Sequence, residues 1–236
     1  MAIEGGKQND IWTTRSEALA YLNERQPSRV DVVLRTFELL DDTIDAFDAA
    51  PPETAYPRIC GLTLLKAKNL ALGAYSLVLD GLGQESGALL RPMIEYVELL
   101  TYFRLKPEMT ERAVENSLPK AGERAKAIEG MFKDFRDHLN REASHSSFSR
   151  YSIGHLFERD TFSFKKRQRM VPTVLERNLR DLVVQLHNLL DEAILTLEYS
   201  ERSKSVEIAV QADRLKRRMF DVFDLNSAGS VDASED

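Results

Sequence analysis

Apolar residues along this chain recur at alternating spacings of three and four, the signature of one buried helix face. After Pro27-Ser28 they fall at Val30, Val33, Phe37, Leu40, Ile44 and Phe47. Late in the chain they fall at Leu175, Leu179, Leu182, Leu186, Leu189 and Ala193, then at Ile208, Ala212, Leu215, Met219 and Val222. Between these lie a long apolar helix from about Pro57 to Asp80, a linker over 81–86, and a second apolar helix through ALLRPMIEYVELLTYF at 88–103. The short linker predicts that these two form an antiparallel helical hairpin, with a local bend at Pro92. Thr14-Arg-Ser-Glu17 reads as a capping box opening a short first helix that carries Ala18, Leu19 and Leu22. Pro51-Pro52 and Pro107 end helices, a short helix spans about Glu108–Ser117, and Pro119 opens a helix from Lys120 to about His145. The alternation Thr161-Phe162-Ser163-Phe164 suggests a short hairpin within 151–171. The predicted fold is all-α, an antiparallel bundle of about seven or eight helices. It forms one domain over 11–225, with a flexible N-terminus at 1–10 and a disordered acidic tail at 226–236.

The helix at 88–103 carries the most distinctive pattern. Arg91, Glu95, Glu98 and Tyr102 follow i, i+4, i+7, i+11 and share one stripe, while Leu90, Met93, Ile94, Val97, Leu99 and Phe103 cover the other faces. A helix apolar nearly all round is buried, so these charges meet protein or ligand: the stripe is either a structural polar network or a site. If it is a buried ion pair, removing one partner would cost on the order of 3–5 kcal/mol.

Composition narrows the function classes. The 236 residues include 11 Gly and 8 Pro, too few for the turns of an all-β fold, and 43% are hydrophobic, enough for a sizeable core. The single cysteine, Cys60, excludes an intrachain disulfide framework and sits among apolar neighbours as an inert thiol. A net charge of −6 argues against broad nucleic-acid binding. The basic runs KKRQR at 165–169 and RLKRR at 214–218 read as solvated faces. MAIEGGKQND lacks the apolar core of a signal peptide. Lys66, Lys68, Asn69 and Asp80 interrupt the longest apolar segment, which makes it a core helix rather than a membrane span. The expectation is a cytoplasmic protein without membrane contact.

A second cluster lies on the helix at 120–145, whose core face is Ile128, Met131, Phe132, Phe135 and Leu139. His138, Arg141 and His145 are spaced i, i+3, i+7, with Glu142 beside the apolar face. One histidine could act as acid or base with arginine binding phosphate oxygens. The plainer reading is a set of edge-of-core histidines bonded to carboxylates such as Asp134. Glu142-Ala-Ser-His145 matches the Glu-x-x-His pair of di-iron bundles, but the chain has no second such pair. Asp41, Asp45 and Asp48 could share a face around a hard cation, yet without ligating carbonyls or a histidine they read as a solvated acidic face. With no phosphate-cradling glycine loop, zinc spacing or Gly-x-Ser-x-Gly, neither a cofactor nor a metal is expected.

Leu89-Leu90-Arg91-Pro92, Glu95 and Ser144-His145, on a hairpin followed by a later helix, resemble the HEPN (higher eukaryote and prokaryote nucleotide-binding) superfamily over roughly 57–150. The likeness is to an uncharacterised bacterial branch with a Leu-Leu-Arg-Pro-x-x-Glu helix. The resemblance implies a homodimer or a helical protein partner. In active members it implies metal-independent RNA cleavage by an Arg-x(4–6)-His motif, with His145 as acid or base and Arg141 on phosphate. Here only three residues separate Arg141 from His145. Two functions follow: a non-catalytic interaction or regulatory module, or a ribonuclease or RNA-binding toxin or defence-type protein using Arg91, Glu95, Arg141 and His145. Whether the chain is an enzyme stays open at this level.

Overall fold

The computed structural model describes residues 6–51, 54–130, 132–133, 137, 156–157, 161, 163–165 and 168–225. Among them are eight helices: α1 Gly6–Arg25, α2 Pro27–Ala49, α3 Ala55–Leu79, α4 Gly83–Leu105, α5 Met109–Val114, α6 Ala121–Ala127, α7 Pro172–Leu197 and α8 Arg202–Val222. They pack as an all-α bundle in which α3 and α4 form the most extensive pair, and α7 lies against α2, α3, α4 and α8.

The hairpin follows from small residues. Cys60, Leu64, Ala67, Ala71, Ala74 and Val78 make a continuous buried stripe along α3. Because alanines protrude little, neighbouring helices approach closely; a Cβ on Gly73 would stand 3.0 Å from Leu89 Cδ1 of α4. By length and composition α3 could cross a membrane, yet this stripe belongs to the same buried cluster as Leu40, Met93, Leu179 and Leu186. The three-four spacing of α7 buries Leu175, Leu179, Leu182, Leu186, Leu189 and Ala193 as the pattern requires.

Left-handed residues follow α3, α5, α6 and α8, whereas α2 and α4 end without one. Gly81 has φ 75°, and its N–H and that of Leu82 reach back to Val78 O and Leu77 O at 3.1 and 2.8 Å. This paired reversal satisfies two terminal carbonyls and turns α3 into α4. A Gly81→Ala side chain would be strained at that φ and would meet Thr14 Cγ2 at 3.2 Å and Gln168 Cβ at 3.3 Å. The substitution is expected to lower stability by about 1–2 kcal/mol in urea denaturation.

Two local expectations are corrected. Thr14 opens no helix: α1 begins at Gly6, and the Thr14 hydroxyl donates to Gln168 O at 2.9 Å instead. The residue used a tertiary acceptor in place of a capping role. The helix from Lys120 does not continue unbroken towards His145, because α6 ends at Ala127. Glu129 and Gly130 take φ of 58° and 66°, and their N–H groups bond back to Lys126 O and Ala125 O. That reversal is the same one seen at Gly81 and cannot propagate a right-handed helix. Where the sequence suggests a short hairpin, an antiparallel bridge joins Phe157 and Phe164, whose rings lie 5.3 Å apart, and no strand longer than this bridge occurs among the described residues.

Charged groups tie the outer helices together. Glu176 of α7 accepts from the Tyr21 hydroxyl, from Gln26 Nε2 at 2.8 Å and from Arg29, whose Nη1 lies at 3.0 Å. Those donors, Tyr21 foremost, hold its carboxyl below the usual range. Arg15 grips Asp80 through two bonds of 2.7 and 2.6 Å, fixing α1 against the end of α3.

Candidate functional site

The α4 stripe is present as spaced, and its burial deepens along the helix. Arg91 Nη2 lies 3.1 Å from Glu95 Oε1, and both side chains are about one third exposed, at 35% and 30%. Arg91 also engages a further group, and Glu98, one turn on, is buried and partnered. Tyr102 is buried beside Phe103, with Lys106 Nζ 5.8 Å from its ring centre. The arrangement is therefore a one-turn ion pair at the bundle edge that continues into polar groups within the bundle. The cost assigned to a fully buried pair does not apply to Arg91–Glu95. Water screens a partly exposed i,i+4 pair, which contributes less than about 1 kcal/mol.

The second cluster, His138, Arg141, Glu142 and His145, lies outside the described residues, as do Asp134 and His155. His187 belongs to the core. It is 1% exposed, and its Nε2 lies 3.3 Å from Thr36 Oγ1. The Thr36 hydroxyl donates to Val32 O at 2.8 Å, so it accepts from the imidazole, which fixes the proton on Nε2. Nδ1 is buried with no hydrogen-bond partner. Burial is the main cause that lowers its pKa to about 4, with Asp191 opposing and Lys216 adding.

Sequence reasoning passed over a second polar centre. Arg104, from the last turn of α4, donates through Nε to Glu192 Oε1 at 2.7 Å and through Nη2 to Oε2 at 3.3 Å. Glu192, on α7, is 7% exposed at its side chain. The Tyr56 hydroxyl donates to Thr196 O at 3.0 Å, and its ring lies 4.7 Å from that of Tyr199. Cys60 sits beside Tyr56 with no exposure, and burial pushes its thiol pKa up, leaving it unreactive. The available signal was Glu192 itself, a charge set between Leu189 and Ala193 on an apolar face.

The chain matches no family model, no curated protein and no solved structure. The geometry alone carries the argument. Of the acidic residues weighed for a cation, Asp41 pairs with Lys68 of α3, while Asp45 and Asp48 are exposed. Two surface cavities, of 410 and 440 Å³, lie between α2 and α8, and no stripe residue lines either of them.

Proposed function

We propose that this chain is a HEPN-like helical bundle acting as a dimeric, non-catalytic interaction or regulatory module. One observation supports this most directly. The polar groups of the α4 stripe are used within the bundle, as a near-surface pair followed by buried Glu98 and Tyr102. A catalytic stripe would keep charged groups free to meet substrate. Structural groups spend their interactions within the protein, as Arg91 and Glu95 do on each other.

Two measurements test the reading. Single-stranded RNA incubated with the protein in the absence of metal is expected to stay intact; cleavage that His145→Ala abolishes would establish the ribonuclease reading in its place. In thermal denaturation, Glu95→Ala is expected to cost less than about 1 kcal/mol. Glu98→Ala should cost more, because it removes a buried, partnered carboxylate. Equal effects at the two positions would show that depth along the stripe does not set its energetics.

A further inference from the structure

The α2 and α8 helices run antiparallel. Arg218 Nη1 lies 2.5 Å from Asp31 Oδ2 at one end, and Ala49 and Glu201 line the same cavity at the other. The two cavities between these helices share Asp42 and Gln211 and so form one groove. Over the 14 residue steps from Arg35 to Ala49 it extends about 21 Å at the helical rise. Leu39 and Leu215 form its floor at one end, and Ala46 and Ile208 at the other.

Charge along this groove is polarised. One end presents Arg35, Arg214 and Arg218 around Glu38; the other presents Asp45, Glu201 and Glu207 around a single lysine, Lys204. Within the chain this polarity is only partly neutralised. Arg35 pairs with Glu38 at 2.7 Å, Arg218 with Asp31 at 2.5 Å and Lys204 with Glu207 at 2.8 Å. Arg214 and Asp45, by contrast, are exposed and form no ion pair among the described residues. Between them, burial first and then the carboxylates of Asp45, Asp41, Glu38 and Glu207 raise the pKa of Asp42. Leu34, Val206 and Val210 add exposed apolar surface on the outer sides of the same two helices.

A linear groove with opposite charges at its ends is complementary to itself when reversed. A two-fold axis crossing it at mid-length sets the acidic end of one copy on the basic end of the other, twice over. Symmetric dimers use such self-complementary patches. We infer that the α2/α8 groove is the homodimer interface of this protein, with Arg214 of each copy facing the Asp45 end of its partner. This inference rests on the reading of the chain as a dimeric module and names the surface that reading leaves unspecified.

Sedimentation velocity on the full chain tests it. Wild type is expected to form a dimer that weakens as salt is raised. Asp45→Arg and Arg214→Glu should each weaken it by about tenfold or more, since like charges then face each other. The double variant should restore it. Both side chains are exposed, so circular dichroism should show unchanged helicity and confirm that each variant folds. A dimer that ignores both reversals overturns this placement and leaves the dimeric module standing on another surface. A chain monomeric at every concentration overturns the placement and the dimeric reading together.

Discussion

His187→Gln is expected to abolish about 3 kcal/mol of the stability that wild type loses between pH 7 and pH 4. The folded-state pKa of His187 is about 4, against an ordinary value of 6.5. Above pH 6.5 the imidazole is neutral in both folded and unfolded chains and contributes nothing to pH dependence. Below that value the unfolded chain binds a proton that the folded chain refuses until about pH 4. Stability therefore falls through this window and levels off beneath it. The cause is geometric: Nδ1 is buried with no partner, and a proton there would bury a charge and a second donor with nothing to accept it. Glutamine keeps a donor for Thr36 and has no proton to take up. Urea denaturation of both proteins from pH 7 to 4 measures the difference. Parallel curves would show that His187 does not set the acid limb.

The second large effect is expected at Arg104. Arg104→Met should lower stability by about 3 kcal/mol, because it leaves the buried Glu192 carboxylate without its cation. The lower end of the usual range applies since the Arg104 side chain is 28% exposed and already partly hydrated. Arg104→Met combined with Glu192→Leu should recover most of the loss, as an apolar pair of similar size suits this site nearly as well. A double-mutant cycle in chemical denaturation reads the coupling directly. A double variant as unstable as the two single losses added together would show that the two residues act independently.

Periodicity carried much of this fold. Leu175 through Ala193 on α7 and Ile208 through Met219 on α8 repeat so regularly that only helices bury them. The break at Gly81 and the spacing of Arg91, Glu95, Glu98 and Tyr102 were equally plain in the residue order. Local signals failed where tertiary contacts compete with them. Thr14 had the spacing of a cap, but Gln168 supplies its acceptor 154 residues away. Gly130 marked the end of α6, but the apolar period running on through Met131, Phe132 and Phe135 outweighed it, and Glu129 is a poor residue for a left-handed turn.

The candidate site divides in the same way. That four polar groups share one line on α4 is a property of 3.6 residues per turn and needs no neighbours to be seen. Their depth does need neighbours: Arg91 and Glu95 stay about one third exposed, while Glu98 and Tyr102 are buried in the bundle. The choice of charge partners is likewise tertiary, as with Arg104 and Glu192, 88 residues apart, and Arg218 and Asp31, 187 apart. Helix period is set by the backbone and its immediate side chains, so it can be read along the chain. Dielectric, pairing and the polarised α2/α8 groove arise only when separate helices pack, and they decide which of the chain's many charges matter.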